Sequence, residues 1–146
     1  MHQGSCQCGA LRYQLNGDPL TCYACHCTDC QTSTGSAFTL SMIVRREDVR
    51  IIEGEAAINT FMHNGSEVQR YHCGNCGTAF WYLATEMPKY IALKPGTFDE
   101  TDWFTPVAHI WLRSAQTWVV LDETTARYQK QPKMIELFKL WAEANR

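Results

Sequence analysis

Eight cysteines carry the most reactive chemistry in this sequence, and half of them lie in one short segment. That segment is Cys22-Tyr-Ala-Cys25-His-Cys27-Thr-Asp-Cys30. Two pairs lie elsewhere, Cys6 with Cys8 and Cys73 with Cys76. Thiolates spaced this closely in a chain without an export signal typically bind a metal ion. What such sites could do depends on whether each is closed and structural or open and reactive.

Zinc is the metal that this spacing favours. Disulfides would need an oxidising compartment, and neither common ferredoxin spacing of cysteines is present. Short C-x-C and C-x2-C pairs separated by long segments instead suit tetrahedral zinc with sulfur ligands. Buried thiols that serve only packing would not arrive in pairs. We therefore predict two zinc ions in the chain.

Length and charge point to a small globular protein. The 146 residues fit one domain, 1–146, with a β-rich core over 1–131 and a helix over 132–146 packed on it. The formal net charge of −2 gives no basic surface for nucleic acid. No apolar run approaches the ~20 residues of a membrane span, and the N-terminus shows no signal-peptide pattern. We expect a cytoplasmic protein with no nucleic-acid or membrane partner.

Short strands must position the cysteines, because apolar and polar residues alternate along much of the chain. The predicted strands cover 11–15, 20–24, 38–44, 48–53, 57–63, 66–72, 79–84, 89–94, 109–113 and 117–121. Asn64-Gly65 predicts a tight hairpin turn, since both residues tolerate positive φ. The expected fold is mainly β, with small antiparallel sheets connected by metal-binding loops.

The C-terminal tail has a different pattern. Pro132 stands where a helix would begin, and apolar residues follow at the i, i+3, i+4, i+7 spacing of one helix face. These residues are Met134, Leu137, Phe138 and Trp141. The pattern predicts one amphipathic helix of about three to four turns. We interpret its apolar stripe as core packing rather than a surface for a partner.

The two outlying cysteine pairs predict one structural zinc site. Cys73-Gly-Asn-Cys76 has the form of a zinc knuckle, which supplies two ligands, whereas a structural zinc takes four. Cys6 and Cys8 would supply the other two through a tertiary contact. Such binding would contribute about 10 kcal/mol or more to folding.

The clustered segment leaves two alternatives for the second site. Four ligands would close it, whereas three would leave zinc a free position, as in catalytic sites. If 20–24 is extended, Cys22 lies roughly 10 Å from Cys25, and the two side chains point to opposite faces. We therefore favour Cys25, Cys27 and Cys30 as the ligands, with Cys22 as the alternative fourth ligand.

The order of these motifs resembles the glutathione-dependent formaldehyde-activating (GFA) family, also described as the GFA/CENP-V domain. The motifs are Gly4-Ser-Cys6-x-Cys8-Gly9, Cys25-His26-Cys27-x-x-Cys30, Gly35-Ser36-x-Phe38, Cys73-x-x-Cys76-Gly77-Thr78 and His109-Ile-Trp111. Together they span roughly residues 3 to 120. The resemblance implies an Mss4-like fold of small antiparallel sheets held by zinc. It also implies a structural zinc on the residues matching the two outlying pairs, and a second zinc on those matching Cys25, Cys27 and Cys30; Cys22 has no counterpart in the family's pattern.

The activity that the resemblance implies is the condensation of glutathione with formaldehyde, formally the reverse of a carbon–sulfur lyase reaction. A zinc with three thiolate ligands suits this chemistry, because an incoming thiol can take the fourth position and be held as thiolate. We expect Cys25, Cys27 and Cys30 to form the catalytic site, with a thiol such as glutathione and a small aldehyde as substrates. The alternative is a non-catalytic domain with two structural four-cysteine zinc sites.

Polar residues near the cysteines have less specific signals. We expect the His26 side chain to point away from the metal. Asp29 is expected either to accept a hydrogen bond beside the ligands or to serve as an acidic first-turn residue of a short helix. His109, Trp111 and Arg113 would line one face of a strand, where a pocket role and ordinary packing explain them equally well. The same holds for Arg70 and His72 beside the knuckle.

Overall fold

The computed structural model describes all 146 residues and confirms a mainly β protein with a C-terminal helix. The chain divides into two compact units. The first comprises Met1–Pro19 and Met42–Trp103, and the second comprises Leu20–Ser41 and Phe104–Arg146. Neither helix has the length and apolar composition that crossing a membrane requires. The prediction of one domain over 1–146 stays a prediction.

A three-stranded antiparallel sheet forms one part of the first unit. Its order is β1 (His2–Ser5), β2 (Arg12–Leu15) and β5 (Val49–Glu53). Tyr13 and Leu15 are fully buried and anchor β2 in the core. Strand β1 is absent from the predicted strands, because the polar run His-Gln-Gly-Ser has no apolar alternation from which a strand could be inferred.

An antiparallel meander forms the rest of the first unit. It consists of β6 (Ala56–His63), β7 (Ser66–Cys73), β8 (Ala79–Ala84) and β9 (Tyr90–Leu93). The other edge of β9 pairs with Met42–Arg45 of β4 (Thr39–Arg45). Asn64 and Gly65 both have positive φ, 48° and 79°, which confirms the predicted hairpin turn. Because β7 ends at Cys73, the hairpin fixes where the knuckle begins.

The second unit pairs its strands in parallel, unlike the antiparallel arrangement expected throughout. β10 (Ala108–Ile110) lies between β3 (Thr21–Cys25) and β11 (Ala126–Arg127). Parallel neighbours need a long connection, and β3 and β10 are separated by most of the chain. Alternation within each segment could not reveal this pairing. A short helix, α1 (Thr28–Thr34), follows β3 and ends at Gly35, whose φ is 65°.

Two predicted strands at the end of the β region are wrong in whole or in part. The segment 117–121 forms turns and irregular backbone. Trp118 and Val120 within it are 70% and 93% exposed to solvent. The strand predicted over 109–113 stops at Ile110, because Trp111 adopts a left-handed φ of 59° and a 3-10 turn follows. The alternation of apolar and polar residues predicts strands in both segments, but a strand also needs a neighbouring strand with which to form hydrogen bonds, and residues 111–113 and 117–121 have none.

The C-terminal helix, α2 (Met134–Ala144), begins two residues after Pro132. Leu137 and Trp141 are buried, and α2 packs against β3. Ile135, on the opposite side, is 55% exposed. The apolar stripe therefore serves packing, as the sequence analysis expected.

Packing of α2 on β3 predicts unequal costs for two aliphatic truncations in the same helix. Leu137→Ala should lower the free energy of unfolding by about 2–5 kcal/mol, because Leu137 is fully buried. Ile135→Ala should change it by no more than about 0.5 kcal/mol, because this side chain is half-exposed. Urea unfolding of both variants measures the difference, and a loss of no more than about 0.5 kcal/mol for Leu137→Ala would show that α2 does not contribute to the core through Leu137.

Candidate metal centres

The two outlying cysteine pairs meet in the first unit. Cys6, Cys8, Cys73 and Cys76 form what we call the four-cysteine group, whose Sγ atoms all lie within 4.8 Å of one another. The Cys6 and Cys8 sulfurs are 3.5 Å apart, and those of Cys8 and Cys73 are 3.8 Å apart. Sulfurs at 2.3 Å from a tetrahedral zinc would be separated by about 3.8 Å. The spacing therefore suits a metal ion at the centre of the group.

Two tight turns bring these sulfurs together. In the turn between β1 and β2, the Gly9 N–H donates to the Cys6 carbonyl at 3.0 Å, and Gly9 has a φ of 78°. In the knuckle, the Gly77 N–H donates to the Cys73 carbonyl at 2.9 Å, and Gly77 has a φ of 81°. Both glycines adopt the left-handed backbone that other residues disfavour. The sequence Cys-Gly thus ends each turn so that its thiols face inward.

Hydrogen bonds reach several sulfurs of the four-cysteine group, and at Cys76 they favour the thiolate. The Leu11 N–H and the Asn75 side-chain amide donate to the sulfurs of Cys6 and Cys8, each at 3.3 Å. The Thr78 hydroxyl, with backbone N–H groups, lowers the pKa of Cys76 to about 5. Donors that stabilise the charged form lower a pKa, so the Cys76 sulfur is prepared to bind a cation.

The clustered segment forms a second group in the second unit. Cys25, Cys27 and Cys30 make up the three-cysteine group, whose Sγ atoms also lie within 4.8 Å of one another. All three residues are buried. Cys25 is the last residue of β3, Cys27 caps the N-terminus of α1, and Cys30 lies in the first turn of the helix. The Cys30 N–H donates to the Cys27 sulfur at 3.3 Å.

Cys22 lies outside the three-cysteine group. It is fully buried within β3, where residues 22 and 25 point to opposite faces. Burial raises the pKa of the Cys22 thiol to about 12. The structure thus gathers the three sulfurs that the sequence analysis favoured and places Cys22 apart from them. That these three bind a metal stays a prediction.

Crowding makes the three-cysteine group unable to hold several thiolates without a counter-charge. Hydrogen bonding with Cys27 raises the pKa of Cys25 to about 12, and burial acts in the same direction. Hydrogen bonds with Cys25 and Cys27 likewise raise the pKa of Cys30. Buried anions in contact are unfavourable unless a cation neutralises them. Three soft sulfur donors in one buried place therefore fit zinc.

A polar network holds the loop between these cysteines. The His26 carbonyl accepts hydrogen bonds from Gln31 Nε2 and Ser114 Oγ, both at 2.9 Å. Gln31 Nε2 also donates to the Ser114 carbonyl at 2.8 Å. The His26 N–H donates to the Ile110 carbonyl at 3.0 Å. Three hydrogen bonds therefore tie α1, β10 and the turn after it to His26, the residue between Cys25 and Cys27, and a fourth joins α1 directly to that turn.

The His26 ring pairs with a second histidine that the sequence did not associate with it. His26 Nε2 and His109 Nδ1 are 2.9 Å apart, and the His26 ring lies 5.0 Å from that of Phe38. His26 is fully buried, and its Nδ1 has no hydrogen-bond partner. Burial lowers the pKa of both histidines. The parallel pairing of β3 with β10 creates this contact between residues 83 positions apart.

Other predicted site residues separate in the structure. His109 lies in β10, whereas Trp111 and Arg113 follow the left-handed turn, so the three do not share a strand face. Asp29 occupies the first turn of α1, which is one of its two expected positions. Arg70, beside the knuckle in sequence, stacks on aromatic rings of the first unit instead.

Comparison with known proteins identifies the family of this chain. The family "Glutathione-dependent formaldehyde-activating enzyme" matches residues 1–114, which include all eight cysteines. A structural-genomics protein from Rhodobacter sphaeroides shares the fold, with a TM-score of 0.55 at 17% identity. The alignment covers 69% of this chain and 91% of that one. The chain belongs to the glutathione-dependent formaldehyde-activating enzyme (GFA) family.

Proposed function

We propose that the chain is a zinc enzyme that adds a thiol to a small aldehyde. The four-cysteine group would hold a structural zinc through Cys6, Cys8, Cys73 and Cys76. The three-cysteine group would hold a second zinc through Cys25, Cys27 and Cys30. The observation that carries this proposal is that the second group gathers three sulfurs and leaves Cys22 outside it. Three protein ligands are the arrangement of catalytic zinc, which keeps one position for a substrate.

The reaction would resemble that of S-(hydroxymethyl)glutathione synthase, a carbon–sulfur lyase. The sulfur of the thiol bonds to the aldehyde carbon, the carbonyl π bond opens, and the proton lost by the thiol ends on the new hydroxyl oxygen. No other reactant is needed, and atoms and charge balance. Bound zinc would supply a low pKa for the substrate thiol, which is otherwise about 8.5 for a cysteine. Glutathione and formaldehyde are the substrates that the family name supports.

The protein's own contribution would be to hold three thiolates in fixed positions away from water. The Cys30 N–H stabilises the Cys27 sulfur, and the bonded His26 carbonyl fixes the loop that carries Cys25 and Cys27. Burial of all three cysteines keeps these residues away from bulk solvent. Such rigid placement is what a reactive ligand set requires, since small displacements lower the rate.

The four-cysteine group predicts a protein whose folding depends on metal. Cys73→Ser should remove one zinc and unfold the protein, because a structural zinc contributes on the order of 10 kcal/mol, comparable to the whole ~5–15 kcal/mol of a small domain. Metal analysis of purified protein, together with circular dichroism during titration with a chelator, measures both effects. A folded Cys73→Ser protein that retains two zincs would contradict the structural role.

The three-cysteine group predicts separate effects for two buried cysteines of the same segment. Cys27→Ser should lose the second zinc and the activity while the protein stays folded. Cys22→Ala is the matched control and should keep two zincs and full activity, because Cys22 lies outside the group. Exchange NMR of glutathione with formaldehyde, compared with the rate without enzyme, measures activity. Loss of the second zinc in Cys22→Ala would instead support the alternative of two structural four-cysteine sites.

A further inference from the structure

A half-buried arginine of the first unit lacks a carboxylate partner. Arg70 lies on β7, and its guanidinium makes one hydrogen bond, from Nε to the Tyr82 hydroxyl at 3.2 Å. The ion pairs of this structure involve two other arginines, Arg12 with Asp99 and Arg45 with Asp48. The terminal nitrogens of Arg70 therefore have unused donors, although partly buried arginines usually have a carboxylate or carbonyl acceptor.

Two aromatic rings hold this guanidinium in place. Its Cζ lies 4.5 Å from the Phe61 ring centroid and 5.3 Å from that of Tyr82. The two rings meet edge to face at 5.6 Å. Arg70 is directly opposite Tyr82 in the β7–β8 pairing, and Phe61 reaches it diagonally from β6. Contact with the two rings and the Nε hydrogen bond therefore fix the orientation of the Arg70 guanidinium before any ligand binds.

The surroundings add positive charge and no carboxylate from the same strands. Lys94 Nζ lies 4.2 Å from the Tyr82 ring centroid, so two cations share this ring. His63 packs on the rings of both Phe61 and Tyr82, at 6.3 Å and 5.7 Å. The residues that alternate onto this face around Arg70 include Asn59, Phe61, His63, Ser66, Val68, Tyr82, Ala84 and Ala92, none of which is acidic. Glu67 belongs to the other face, because side chains alternate along β7.

We propose that this Arg70 cluster, formed by Phe61, His63, Arg70, Tyr82 and Lys94, binds the oxyanion of a small molecule, a carboxylate or a phosphate. The planar fork of arginine presents parallel N–H donors that match either group. Because the rings already order the side chain, little conformational freedom is lost on binding. The site uses none of the cysteines and does not depend on the proposed thiol chemistry.

The test is calorimetric titration of the full-length, metal-loaded protein at low salt with citrate and, separately, with inorganic phosphate. Arg70→Gln should weaken binding by about tenfold or more, the loss expected when charged hydrogen bonds are removed. Arg70→Lys keeps the positive charge but loses the parallel N–H donors of the guanidinium, so it should also weaken anion binding. Phe61→Leu keeps the arginine but removes one of the two aromatic rings that order its guanidinium, and it should weaken binding by about threefold. The probe that binds with the lower dissociation constant shows whether the site prefers a carboxylate or a phosphate.

Arg50→Gln is the matched control, since Arg50 is an exposed arginine on β5 outside the cluster. It should leave the affinity unchanged. The proposal is overturned if neither probe binds, if Arg70→Gln and Arg70→Lys bind as tightly as the wild type, or if Arg50→Gln weakens binding equally. The last result would show a general effect of net charge. Unfolding curves of each variant establish that the compared proteins are folded.

Discussion

Contact between thiols that are 65 residues apart in sequence is the constraint on which the first unit depends. Cys8 and Cys73 belong to two turns that have little apolar surface of their own, yet their sulfurs lie 3.8 Å apart. Two thiolates at this distance repel each other, and a cation bound between them relieves that repulsion. If zinc is bound there, as we propose, its bonds to the four sulfurs hold the β1–β2 turn to the knuckle after β7.

The same residue type has the opposite electrostatic character in the second unit. The Cys76 pKa falls to about 5 through hydrogen bonds at an exposed turn, whereas the Cys25 pKa rises to about 12 among buried thiols. A group stabilised by its own donors suits permanent structure. A group that depends on an incoming cation, and that offers only three sulfurs, suits a site at which a substrate takes part. The roles that we propose for the two groups therefore rest on a difference in environment rather than in sequence motif.

Parallel pairing of β3 with β10 organises the surroundings of the three-cysteine group. It places His109 against His26 and brings Ser114 to the His26 carbonyl. The residues that support the cysteines therefore come from a part of the chain more than 80 positions away. In the first unit, antiparallel register has a comparable effect, since it places the Arg70 guanidinium against the rings of both Phe61 and Tyr82.

The spacing of the cysteines predicts the four-cysteine group, and together with the extended backbone predicted over 20–24 it favours Cys25, Cys27 and Cys30 as the second group. Both inferences use local properties of the chain. Alternation likewise predicted most strands, and the apolar spacing after Pro132 predicted α2. Tertiary structure decided what depends on distant neighbours: the parallel pairing of β3 and β10, the His26–His109 contact and the turn at Trp111. It also separated Cys22 from Cys25, since only the extended backbone of β3 sends these side chains to opposite faces. Pairing partners are chosen by hydrogen bonds and burial across the whole chain, and no short sequence window contains that information.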